Sequence, residues 1–156
     1  MGSNLRQLFS PSAVKLNATA RDKQQAIVAA GELLVVSDFV DRPYITEMLK
    51  REEIITTYIG NGVAIPHGTE ASRDMVYKTG LSFVQLPQGV DFDGNTAYVI
   101  IGIAAKDNSH LQILANLAEI LCETKTVEKL VEANSFEDVI DLLTTPPNER
   151  PTQQEE

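Results

Sequence analysis

The chain has two histidines, and each sits where it could handle a phosphoryl group. An imidazole attacks phosphorus through a ring nitrogen, carries the group and releases it again. His67 closes the run Gly60-Asn61-Gly62-Val63-Ala64-Ile65-Pro66-His67-Gly68. Pro66 stiffens the backbone before it, and Gly68 leaves room for a ligand or a partner's backbone to approach. The Gly60-Asn61-Gly62 turn lacks the lysine and helix of a P-loop, so on its own it is a weak phosphate cradle. Without further support, His67 also reads as an ordinary turn histidine.

His110 lies in Lys106-Asp107-Asn108-Ser109-His110-Leu111-Gln112. Ser109 and Gln112 fit a capping box, which makes His110 the first residue of a helix. Unpaired backbone N–H groups and the positive end of the helix dipole would lie beside its ring, a place that attracts phosphate. A solvated histidine at a helix start is the competing reading. Arg51 is the third candidate, since a guanidinium pairs bidentately with phosphate oxygens. It could equally stabilise a helix C-terminus or pair with Glu47 or Glu52.

Positioning these groups falls to a pattern of alternating elements. Thr19-Ala20-Arg21-Asp22 reads as a helix start with Thr19 as N-cap, followed by Ala26, Ile27, Ala30, Leu33 and Leu34 at helical spacing. Asp41-Arg42-Pro43 opens a short helix, with Asp41 as cap and Ile45, Met48 and Leu49 as its apolar face. Val63 to Pro66 reads as extended, and Thr79 to Leu86 as a strand ended by Pro87-Gln88-Gly89. Asp93-Gly94-Asn95 is a turn. The continuous apolar run Ala97 to Ala105 marks a strand buried on both faces, which requires helices above and below. Leu111, Leu114, Leu117, Ala118 and Leu121 continue the helix after His110. Val127, Leu130 and Val131 mark another, and Ser135 caps a last one bearing Phe136, Val139, Ile140 and Leu143. The expected fold is an α/β single-domain sandwich. The domain is expected over residues 1–143, with residues 144–156, polar and proline-bearing, as a flexible tail.

Composition removes several function classes. At 156 residues the chain is long enough for one well-packed domain. A net charge of -9 argues against nucleic acid and against an anionic membrane surface. No apolar run reaches the roughly 20 residues that span a bilayer, and no signal segment appears, so a cytoplasmic protein is expected. Cys122, the sole cysteine, falls in an apolar helical pattern and is expected in the core. Cys and His spacings for a metal site are absent, and two histidines without paired carboxylates disfavour a metal-dependent hydrolase.

Three segments occur in order: Met48-Leu49-Lys50-Arg51-Glu52, Gly60 through Thr69, and Ala104 through Gln112. Together they resemble the IIA domains of the mannitol/fructose class of the bacterial phosphoenolpyruvate-dependent sugar phosphotransferase system. The resemblance runs from about Leu16 to Leu143. The Ile65-Pro66-His67-Gly68 segment is its most specific mark, and Lys78-Thr79-Gly80 and the surroundings of His110 point to the mannitol branch. The resemblance implies a mixed β-sheet flanked by helices, His67 as the phosphorylated residue, and His110 and Arg51 as its active-site partners. It implies HPr as phosphoryl donor, a IIB domain with a reactive cysteine as acceptor, and a membrane IIC domain reached only indirectly. Neither cofactor nor metal is implied, because the donor is itself a phosphohistidine. The alternative is a regulatory, nitrogen-type IIA module whose phosphorylation state controls partner proteins.

Overall fold

The computed structural model describes residues 5–107 and 110–144, with the side chain of His110 outside that description. The expectations for Ser109 as a cap, and for a tail beyond residue 144, therefore lie outside the described residues.

Five strands form one sheet: β1 (Val14–Lys15), β2 (Tyr58–Gly60), β3 (Val63–Ala64), β4 (Gly80–Phe92) and β5 (Asn95–Ala104). Their spatial order is β1-β4-β5-β3-β2. β4 and β5 pair antiparallel, as do β2 and β3, whereas β1 lies parallel to β4 and β3 parallel to β5. The sheet is therefore mixed. Among the described residues the helices that cover it include α1 (Lys23–Val36), α2 (Tyr44–Ile54), α3 (His110–Leu121), α4 (Thr124–Glu132) and α5 (Phe136–Thr144).

The alternation of β5 divides the core in two. Val99, Ile101 and Ile103 join Leu117, Leu130, Val139 and Ile140 on the α3–α5 face. Ile100 and Ala104 join Ile27, Ala30, Leu34 and Met48 on the α1–α2 face. A strand buried on both sides must read as continuously apolar, which is what Ala97 to Ala105 showed.

Several local expectations shift. α1 is capped by Asp22, whose side chain accepts from the Gln25 N–H at 2.8 Å, and not by Thr19. Ahead of α2, Asp41 contributes its carbonyl, which accepts from the Tyr44 N–H at 3.0 Å, and no side-chain cap forms. β4 continues through Pro87-Gln88-Gly89 to Phe92 because its register shifts between Gln85 and Val90. The bulge absorbs the missing proline N–H that would otherwise end the ladder. Cys122 is exposed and donates to the Glu119 carbonyl. The buried stripe of α3 is Ile113, Leu117, Ile120 and Leu121, so Leu111 and Ala118 face outward. At the start of α5, Ser135 Oγ accepts from the Asp138 N–H at 3.1 Å, as a cap should.

The turn ahead of β3 explains its glycines. Gly60, Asn61 and Gly62 have φ of 98°, 57° and 81°, three left-handed residues in a row. Glycine adopts that region without a Cβ clash, and asparagine is the side-chain residue that best tolerates it. The reversal sends β3 alongside β5 and aims Pro66-His67 at the C-terminal end of β5.

Candidate functional site

His67 extends the β3 line past the strand itself. It forms a parallel bridge with Ile103, and the Ile103 N–H donates to the Pro66 carbonyl at 2.9 Å. Ligands of α/β sheets favour this edge, beyond the carboxyl ends of strands. The ring Nδ1 lies 2.9 Å from the Ile65 carbonyl oxygen. A carbonyl can only accept, so Nδ1 carries the proton, and in the neutral ring the lone pair resides on Nε2. The backbone thereby selects the tautomer in which Nε2 is the nucleophile.

Tyr44, at the start of α2, bolts this segment to β5. Its hydroxyl donates to the Ile103 carbonyl at 2.8 Å and accepts from the Gly68 N–H at 2.9 Å. Burial pushes its phenol up to about 12, against the Gly68 N–H, which favours the ionised form. The residue after His67 must be small, since a Cβ on Gly68 would sit 2.4 Å from Ser72 Oγ and 2.5 Å from Tyr44 Cε1.

Arg51, in the last turn of α2, shares a cleft of about 360 Å³ with His67. Its Nη1 donates to the Ile55 carbonyl at 2.7 Å, so it does help close a helix C-terminus. Among the described residues it makes no ion pair. Glu47 is taken by Lys50 at 3.2 Å and by the Thr69 hydroxyl at 2.5 Å, and Glu52 by Lys23 at 3.3 Å. The Thr69 hydroxyl and the Lys50 ammonium hold the Glu47 carboxyl below the usual carboxylate range. Arg51 keeps its charge uncompensated by a carboxylate beside the imidazole.

Sequence reasoning missed several lining groups. Arg73, from the short 3₁₀ segment Glu70–Met75, adds a second guanidinium to the cleft, 4.0 Å from the exposed Glu70. Thr69, Leu111 and Leu114 also line it. The one signal for Arg73 was a cation six residues after His67. For Tyr44 there was none, because its partners are 24 and 59 residues away. Leu111, 65 % exposed, follows His110 directly, so the start of α3 borders the cleft. The His110 imidazole itself falls outside the described side chains. A pocket with two arginines, in a chain of net charge -9, suits an anion. Among the described residues no three metal-ligating side chains gather, and no helix is long and apolar enough to cross a membrane.

A mixed sheet between helices, with a tautomer-locked histidine and an uncompensated arginine at its edge, matches a known class. The chain belongs to the EIIA 2 family of the phosphoenolpyruvate-dependent sugar phosphotransferase system, whose model matches residues 7–145. It is thus a phosphotransferase component. Among its relatives is the mannitol-specific phosphotransferase enzyme IIA component of Bacillus subtilis, 44 % identical over 138 residues, which span 88 % of this chain and 96 % of that one. Among solved structures, IIA mannitol from Escherichia coli superposes with a TM-score of 0.80 at 37 % identity, covering 86 % of this chain and 98 % of that one. The complex of enzyme IIA mannitol with phosphorylated enzyme IIB mannitol from the same organism gives a TM-score of 0.81 at 36 % identity, covering 86 % and 96 %.

Proposed function

We propose that this chain accepts a phosphoryl group from phosphorylated HPr on His67 and passes it to a IIB cysteine during mannitol uptake. The carrying observation is the cleft that holds His67 and Arg51 together, with His67 Nδ1 tied to the Ile65 carbonyl. In the first step the Nε2 lone pair attacks phosphorus in line. The N–P bond to the donor histidine breaks, and its electron pair returns to that ring. In the second step the IIB thiolate attacks the same phosphorus, and the pair of the broken N–P bond returns to Nε2. The proton stays on Nδ1, hydrogen-bonded to the Ile65 carbonyl, through both steps.

Phosphoryl transfer needs alignment and charge stabilisation and little else. Arg51 would hold equatorial oxygens, and His110, with N–H groups at the start of α3, would assist. Stabilisation must favour the transition state over the carried intermediate, or the group would not pass on. The working unit runs through α5, which ends at Thr144, within the residues 7–145 that the family model matches. The protein would act in the cytoplasm, and sugar would receive the group on entering through a membrane IIC domain.

The mannitol-specific names of relatives at 36–44 % identity favour the sugar-transport role over a nitrogen-type regulatory one. Charging the protein with phosphorylated HPr and then adding a mannitol IIB domain tests the proposal. Loss of label from this chain with equal gain on IIB is expected. Normal charging with no onward transfer would return the assignment to a regulatory module.

A further inference from the structure

Glu52 is the one charged side chain buried among the described residues, 4 % exposed at the end of α2. A carboxylate in such a place must be met by donors, or it would not stay charged. Its Oε1 accepts from the Thr57 N–H at 2.9 Å and the Thr57 hydroxyl at 2.6 Å. Its Oε2 accepts from the Thr56 hydroxyl at 2.5 Å and Lys23 Nζ at 3.3 Å. Lys23 is itself anchored on Asp93 at 2.8 Å. Burial alone pushes the Glu52 carboxyl up, but the hydrogen bonds from Thr56, Thr57 and Lys23 outweigh it and hold the group below the usual range.

These bonds converge on the segment that leaves α2, and both site residues hang from it. The Thr57 carbonyl accepts from the Ile65 N–H at 3.0 Å, and the Ile65 carbonyl then accepts from His67 Nδ1 at 2.9 Å. Two residues before Thr57, the Ile55 carbonyl accepts from Arg51 Nη1 at 2.7 Å. The carboxylate is thus three bonds from the imidazole along one chain of contacts, and one tethered segment from the guanidinium.

We infer that Glu52 is a positioning residue for phosphoryl transfer: it fixes residues 55–57, and through them the tautomer and orientation of His67 and the placement of Arg51. The inference rests on the phosphocarrier reading for its consequence, but its geometry stands alone. An apolar side chain could close the end of α2 equally well. Only a charge demands four directed donors, and directed donors set the position of a loop more tightly than contact does.

The test compares the parent with Glu52→Gln, Thr57→Val and a control in the opposite core, Ile140→Val, chosen for a similar loss of stability. Two quantities are read: the ¹⁵N signature of the His67 ring near neutral pH, and the rate of labelling by phosphorylated HPr. The parent should show a protonated Nδ1 and an unprotonated Nε2. Glu52→Gln keeps an acceptor for Thr57 but loses the charge and one oxygen. Its ring signature should move toward mixed tautomers, and labelling should slow about tenfold, the lower end of what outer partners of metal-bound histidines contribute. Thr57→Val should shift both readouts in the same direction, and Ile140→Val neither. If Glu52→Gln does not fold, Thr57→Val decides with the same readouts. A folded variant that keeps the parent's ring signature overturns the inference, whether or not its labelling slows. Failure of the parent itself to take label would sink the phosphocarrier reading instead, and the ring signatures would still judge Glu52.

Discussion

Removing a single oxygen, in Tyr44→Phe, tests how His67 is held. The hydroxyl sits between the Gly68 N–H and the Ile103 carbonyl, bonded to both at 2.9 and 2.8 Å. The phenyl ring that remains keeps the two backbones apart, since Tyr44 packs against Gly68 closely enough to exclude a Cβ. They cannot simply pair with each other. Gly68 is partly exposed and water can reach its N–H, whereas Ile103 is 1 % exposed and its carbonyl would stay unpaired. A buried polar group left without a partner costs about 1–3 kcal/mol, and one such group here suggests about 2 kcal/mol. For a chain of this length that is a fall in Tm of roughly 4–8 °C. Labelling by phosphorylated HPr should slow roughly threefold to tenfold. That is less than the ~100-fold of a 1 Å misplacement, because Pro66 stays tied to the Ile103 N–H. Calorimetry and initial labelling rates measure both. A Tm within 1–2 °C of the parent (about 0.5 kcal/mol), with an unchanged rate, would refute the claim that this hydroxyl bolts the segment down.

Other outcomes follow from the same geometry. Arg51→Lys keeps the charge but loses the planar fork and the bond to Ile55. Transfer should fall about 10–100-fold with little change in stability, and a lysine variant with parental rates would show that charge alone suffices. His110→Ala is expected to slow transfer to IIB more than it reduces labelling, and complete loss of labelling in a folded variant would contradict that division. Acid stability should report Glu52. Its unfolded carboxyl takes a proton near pH 4.3, before the native one, whose value is held lower. Its contribution is therefore full above about pH 5 and lost as pH falls through the native value. Glu52→Gln should flatten that part of the stability profile, and an identical acid limb in parent and variant would refute it.

What could be read from the chain alone follows from how far each signal reaches. The doubly buried β5, the Ser135 cap and the Gly60-Asn61-Gly62 turn are set by neighbours a few residues away, so composition and spacing reveal them. His67 and Arg51 each had an ordinary reading of their own, a turn histidine and a helix-end cation, and it was their place in segments that resemble one family that made them legible as a pair. Cys122 and Leu111 were misplaced because an apolar residue in an apolar helix says nothing about which face packs. The strand through Pro87 was cut short because a bulge is a property of the partner's register. Tyr44 was silent because its partners are 24 and 59 residues away, and Glu52 because its bonds to Thr56 and Thr57 reach His67 only through the contact of Thr57 with Ile65.

The most direct measurement is the atom that takes the label. Charge the protein with phosphorylated HPr, and determine the residue by peptide mapping and the ring nitrogen by phosphorus and nitrogen NMR. A phosphoryl group on Nε2 of His67, absent in His67→Ala, is the expected result. Label on Nδ1 of His67, or full labelling of the His67→Ala protein, would contradict the account.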